Sequence, residues 1–332
     1  MATLKNTIIN DTGFLTLPSG TTAQRLSASN GHIRYNSSTN AIEYYKAASS
    51  EWKNLIGGDW SLQRPITITS TPGTDWQVRI QLTTANFSYS NTNANGSDLR
   101  FGATSGFNPS TSSFSHWIES WNPAGTSVVW VKVPTAATTT IYMRYKNANA
   151  TAVSSLTSTM ASGWRCLYYG GTGFNTLDFY VADTYGPYYD WGTGTCTVMG
   201  SGSRADSLSI QWDAWVIPTS TGTMTFRVTT DDGARTYSRA LSSDSWTNRI
   251  DSWRDQGPTT YTGTAAGIVT GTPIQVLNQW YENGGGATAL FDFAWPGAGY
   301  TTPPGPGYHA KYGTGYTDPY AHNGTVGAES SV

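Results

Sequence analysis

The run Met224-Thr225-Phe226-Arg227-Val228-Thr229-Thr230-Asp231-Asp232-Gly233-Ala234-Arg235 decides how the C-terminal half of this chain is read. Apolar Met224, Phe226 and Val228 alternate with polar neighbours, the period of a half-buried strand. Where the alternation stops, two carboxylates and a glycine follow. Such a loop suits a hard cation, which takes six to eight oxygens in the case of calcium. It also suits a plain turn, because Asp-Gly pairs form turns and Asp carboxylates accept backbone N–H groups. Asp231 and Asp232 are the candidate ligands, and neighbouring residues in a strand normally point apart.

Composition supports β-structure around this run. The 332 residues are rich in Ser, Thr and Gly and carry 14 Trp and 20 Tyr. Such a chain favours strands and turns over helices. No long stretch shows 3.6-residue spacing, and no apolar run approaches the ~20 residues that span a bilayer. With 19 Lys+Arg against 21 Asp+Glu, no basic face is implied, so neither nucleic acid nor membrane insertion is expected.

Four regions follow from the turn signals. Residues 1–58 hold the hairpin pattern Ile33-Arg34-Tyr35 and Ile42-Glu43-Tyr44 around a polar link, then Glu51 to Leu55 as an end strand. So small a module buries little apolar surface and needs a partner core. Residues 59–157 show strands at Trp76–Leu82, Val128–Val133 and Ile141–Tyr145, a sandwich pattern. Residues 158–298 contain the Asp-Asp-Gly run, and the strand Leu290–Trp295 with Phe291, Phe293 and Trp295 on one face. Residues 299–332, with Pro303-Pro304-Gly305-Pro306-Gly307, read as an extended tail that packs on a neighbour or stays mobile. The expected fold is all-β: a small hairpin module, then two β-sandwich or jelly-roll domains.

Three resemblances refine this. Thr16 to Arg25, Ile33-Arg34-Tyr35-Asn36 and Glu43-Tyr44-Tyr45 resemble a short anchoring or trimerising module of phage tail fibres and other virion-surface proteins. Five ordered motifs resemble an uncharacterised family of lectin-sandwich-like domains: Arg64-Pro65-Ile66-Thr67-Ile68, Ser97-Asp98-Leu99-Arg100-Phe101, His116 to Trp121, Val129 to Pro134 and Ile141 to Asn147. The Asp231-Asp232-Gly233-Ala234-Arg235 run, with Tyr281-Glu282-Asn283-Gly284-Gly285-Gly286-Ala287, resembles the protective-antigen-type β-barrel domain of toxins, flocculins and glycosidases. In the glycan-binding members of that family, a cis peptide joins the two aspartates and a second loop completes a calcium site. The resemblance therefore implies calcium on Asp231, Asp232 and Asn283.

Trp246, Trp253, Trp280 and Tyr168 are candidates to stack on sugar faces, with Trp246 the chosen one, although most tryptophans in such folds fill cores or interfaces. No catalytic constellation is legible. His32, His116, His309 and His322 share no metal spacing, and no Gly-x-Ser-x-Gly elbow occurs. The chain is therefore not expected to be an enzyme. Cys166 and Cys196 fall in one segment, so a disulfide is geometrically open, while a reducing cytosol favours free, buried thiols.

These readings converge on a phage virion protein, a fibre or decoration protein of tail or capsid. It would be made in the host cytoplasm without a signal peptide, assemble as a homotrimer with other virion proteins, and contact host-surface glycans. The alternatives are a capsid-cementing or fibre-shaft protein with no ligand, and an accessory module of a bacterial surface adhesin or glycosidase.

Overall fold

A computed structural model describes residues 17–25, 29, 32–38, 41–46, 50–54, 60–70, 72–305, 307–311 and 323–332. The first fifteen residues, Thr16, Leu55, Gly57, Gly58 and the tail tyrosines Tyr312, Tyr316 and Tyr320 lie outside these. The described chain is all-β, with one four-residue α-helix at Leu156–Thr159 and two short 3-10 turns.

The N-terminal hairpin pairs Ile33–Asn36 with Ala41–Lys46, in register Ile33 to Tyr44, and Glu51–Asn54 adds the expected end strand. Ser19–Gly20 joins on the other side. At the centre of this sheet sits a charge. Glu43 is buried, with Arg25 Nη2 at 2.6 Å and Arg34 Nε at 3.3 Å. Burial pushes the Glu43 pKa up, but the Arg25 and Asn36 hydrogen bonds and both guanidinium charges outweigh it and hold it below the usual range. Ile33 remains exposed.

The second segment is one eight-stranded sheet around its own core. Val78, Ile80 and Leu82 of the Trp76–Thr83 strand are fully buried, as their alternation requires. Its neighbour Thr126–Val133 is buried at nearly every position. Val129, Val131 and Val133 face this core, whereas Val128 and Trp130 face a second cluster shared with Trp215 of the next segment. A strand covered on both faces reads as a continuous apolar run.

The centre of the sheet is completed from the far end of the chain. Asn323–Val326 lies between Leu62–Ile68, to which it is antiparallel, and Trp76–Thr83, to which it is parallel. Gly324 fits there because a Cβ would stand 2.5 Å from Ile66 Cγ2 and 2.9 Å from Ile80 Cγ1. Ser330–Ser331 also pairs with Leu62–Ile68. The stretch that reads as an extended tail is thus woven into both larger segments. Tyr308–His309 pairs with Ala161–Ser162 and touches Leu208–Val216.

The third segment is a sandwich. An eight-stranded sheet including Trp164–Gly170, Leu208–Val216, Ile274–Glu282 and Gly233–Arg239 faces a five-stranded sheet of Tyr188–Gly192, Ala287–Ala294, Gly222–Asp231, Thr259–Ile268 and Tyr300–Thr301. Between them lies a core that includes Trp164, Trp212, Trp280, Phe226 and Phe291. Cys166 and Cys196 are both buried and unbridged. Burial raises both thiols, Cys196 to about 12, which keeps them protonated.

Candidate metal centre

Two crossovers run side by side at one end of the third-segment sandwich. Gly222–Asp231 belongs to the five-stranded sheet, and Gly233–Arg239 to the facing sheet. Asp231 and Asp232 are therefore the point at which the chain changes sheets. The return crossing is Asn283–Gly286, which carries the chain from Ile274–Glu282 back to Ala287–Ala294. Register brings the two together: Gly233 pairs with Tyr281, and Asp231 with Thr288. The peptide between Asp231 and Asp232 is cis.

Strand alternation aims a third carboxylate at the pair. In Ile274–Glu282 the side chains of Trp280 and Glu282 share the inner face, and both are fully buried. Trp280 Nε1 donates to the Asp231 carbonyl at 3.1 Å. One carboxylate oxygen each from Asp231, Asp232 and Glu282 lie within 4.8 Å of one another. Gly286 closes over them, since a Cβ there would stand 3.1 Å from Asp231 Oδ2.

The three groups are unequally satisfied. Asp232 accepts the Gln256 N–H at Oδ1, 2.9 Å, and the Asn283 N–H at Oδ2, 3.0 Å. Its carbonyl accepts from Thr230 Oγ1 and Gln256 Nε2. Among the described residues neither Glu282 oxygen makes a well-formed hydrogen bond. Burial, then the Asp232 and Asp231 charges, push its pKa up to about 8; the Gly284 N–H exerts only a weaker opposing pull. Asp231 is raised by burial first and the Asp232 charge second. Asp255 and Asp206 stand at the rim. Asp255 accepts from Tyr281 Oη at 2.8 Å and Asn283 Nδ2 at 3.0 Å, and Asp206 from the Gly285 N–H at 3.2 Å.

Such a donor set fits a hard divalent cation. Three carboxylates crowded together repel one another, and an unpartnered buried carboxylate is costly. A cation among them would remove both penalties. All the side-chain donors are oxygens, the preference of calcium or magnesium rather than of zinc or copper.

The structure brings Asp231, Asp232 and Asn283 to one place, Asn283 by its backbone N–H, with its side-chain amide turned to Asp255. Trp246 lies elsewhere. It precedes Thr247, which pairs with Ser238, five residues along the strand from Gly233. At ~3.3 Å per residue that is roughly 17 Å away. There it stacks under Arg239, 4.1 Å from guanidinium carbon to ring centroid. Tyr168 and Trp280 are core residues. Trp253 is partly exposed and packs on Tyr281 with ring centroids 4.7 Å apart. Sequence reasoning missed Glu282. Its signal was available, because Glu282 has the same parity as Trp280 in an alternating strand that ends at the glycine loop.

Residues 95–180 match a family described as domain of unknown function (DUF2341), a span running from the second segment into the first strands of the third. No curated protein matches the chain. Among solved structures, an anti-sigma factor domain-containing protein is similar at 25% identity and a TM-score of 0.37, over 42% of this chain and 45% of that one. The chain thus spans less than half the length of that protein. A PA14 sugar-binding domain from an RTX adhesin is similar at 17% identity, TM-score 0.33, over 42% of this chain and 94% of that one. The Epithelial Adhesin 6 A domain from Candida glabrata, solved in complex with Galb1-3GlcNAc, is similar at 10% identity, TM-score 0.37, over 46% and 88%.

Proposed function

We propose that this chain is a calcium-dependent glycan-binding protein, with the cation held by Asp231, Asp232 and Glu282 and the sugar docked on it. The observation that carries the reading is Glu282, fully buried beside two further carboxylates, with neither oxygen in a well-formed hydrogen bond among the described residues. Oxygens from the Asn283–Gly286 loop would join the shell, and vicinal sugar hydroxyls would complete it. Trp253, partly exposed near the same rim, offers an apolar face for the ring.

The role on a particle is the finer part of the proposal. The N-terminal hairpin module supports a fibre or decoration protein of a phage virion, displaying the head in several copies. Its sheet is centred on the buried Glu43 and leaves Ile33 exposed, which suits a module that gains its apolar core by association. Weak single sites then act together through effective concentration. The same head would serve equally as a module of a bacterial surface adhesin. Among the described residues no helix is long and apolar enough to cross a membrane.

The test is retention on a host-polysaccharide array with calcium and with chelator, alongside the mass of the full chain in solution. Calcium-dependent retention supports the glycan reading, and its absence together with no calcium effect on stability defeats it. A trimer supports display on a fibre; a monomer defeats that part alone.

A further inference from the structure

The second segment holds a cavity of about 560 Å³ far along the chain from the acid cluster, lined by Trp60, Arg100, Ser110, Phe114, Asn149, Thr151 and neighbouring Ser, Thr and Asn side chains. Its size falls within the range of small-molecule sites, about 300–1,000 Å³. The lining is dominated by hydroxyls and amides, with aromatic rings among them. Among the described residues Arg100 is its one charged side chain, and it is 6% exposed.

Arg100 is held rigidly and is incompletely used. Nη1 donates to the carbonyls of Ser97 at 2.9 Å and Leu99 at 2.7 Å, and Nη2 to that of Thr151 at 2.8 Å. Of the guanidinium's donors, the Nε proton and one Nη2 proton have no partner among the described residues. The guanidinium carbon lies 5.3 Å from the Trp60 ring centroid. No carboxylate among the described residues forms a salt bridge with it. The neighbouring Asp98 is committed elsewhere, accepting from Thr92 Oγ1 and from the N–H groups of Asn93, Lys146 and Asn147. Trp60 is oriented by the same loop, its Nε1 donating to the Asp98 carbonyl at 2.7 Å. Burial lowers the Arg100 pKa, with the Asp98 charge opposing it, so an arriving anion would relieve the cost of the buried cation.

We propose that this cavity is a second ligand site, for an acidic sugar residue whose carboxylate docks on Arg100. Arginine presents paired N–H donors that match a carboxylate. Hydroxyl and amide walls exchange hydrogen bonds with a polyol, and ring faces pack on its C–H surfaces. The site is independent of the cation centre and does not rest on the proposed function.

The test is titration of the full chain with sodium galacturonate and glucuronate in chelator, read by backbone amide NMR. Galactose and acetate serve as controls. The uronates are expected to shift the amides of Ser110, Asn149 and Thr151, and galactose to bind about tenfold more weakly for want of the charge-assisted bonds. Arg100→Gln is expected to weaken uronate binding to the galactose level. Ala150→Trp, at the partly exposed rim, is expected to block both sugars with Arg100 intact, and it keeps the test valid should Arg100→Gln fail to fold. No shift with either uronate, shifts confined to residues 283–286, or equal binding of galactose would each overturn the assignment.

Discussion

The Asn283 N–H donates to Asp232 Oδ2 across 3.0 Å, so each of the two sheet-to-sheet crossovers holds the other. The loop that returns the chain is thereby fixed beside the loop that sends it across. Glu282, one residue earlier, is left facing the two aspartates with no well-formed hydrogen bond of its own among the described residues.

Calcium is expected to raise the thermal midpoint of the native chain. A ligand that binds only the folded state stabilises it by about 2.7 kcal/mol at a hundred times its Kd. Asp232→Ala should abolish the calcium increment in a calorimetric scan. An unchanged increment in that variant would exclude Asp232 as a ligand.

Glu282→Gln should act in opposite directions with and without the cation. In chelator the substitution removes a buried, repelled carboxylate, and stability should rise by about 1–3 kcal/mol. With calcium the variant should gain less than the native chain, because one ligand charge is gone. Urea midpoints in calcium and in chelator give the comparison; a loss of stability in both would mean that Glu282 acts only through packing.

Stability should fall in mild acid through His116 and His309. His309 is buried between the Tyr180 hydroxyl at Nε2 and the Gly163 carbonyl at Nδ1, so the neutral ring donates from Nδ1 and accepts at Nε2. Burial, with nearby cations, lowers each histidine to about 4. The unfolded chain, titrating near ~6.5, binds protons that the folded one refuses. The stability is present above that pH and lost as pH falls towards about 4, by roughly 3 kcal/mol per histidine at ~1.4 kcal/mol per pKa unit. Chemical denaturation across that window checks the slope, which His309→Gln should reduce.

Removing residues 323–332 should lower the unfolding temperature of the second segment before that of the third. The deletion opens the sheet between Leu62–Ile68 and Trp76–Thr83. It also removes Glu329, which lies 3.5 Å from Arg64 Nη2 and accepts from Tyr145 Oη. Gly324→Val is the milder form, with about 1–3 kcal/mol lost to overpacking. Hydrogen exchange resolved by segment distinguishes this from a uniform loss.

Trp215→Ala should cost about 3–5 kcal/mol and loosen the two larger segments from each other. Its ring makes edge contacts with Trp117 and Trp130, each with centroids 5.6 Å apart. Glu119 adds a polar tie across the same boundary, accepting from Trp130 Nε1 and from the Ser242 backbone and hydroxyl. Proteolysis should then release fragments that the native chain does not yield.

Local pattern by itself determined the strand at Trp76–Leu82, the hairpin at Ile33–Tyr44 and the strand that ends at Asp231, because side-chain parity in a strand is a property of neighbouring residues. It also marked Asp231 and Asp232 as candidates, while Asn283 entered only through the resemblance to the protective-antigen-type domain. Only the tertiary structure decided what surrounds them. Glu282 joins the aspartates, and Trp246 is carried to the other end of its hairpin, because sheet register sets which distant residues meet. Likewise the apolar run at Val128–Val133 marked a strand, but only the assembled structure shows that both of its faces are covered, one of them by Trp215. Nothing local to Asn323–Val326 says that it fills the middle of a sheet begun some 250 residues earlier. Hydrogen bonding to Ile66–Ile68 and the absence of a side chain at Gly324 decide that, and both exist only once the strands are assembled.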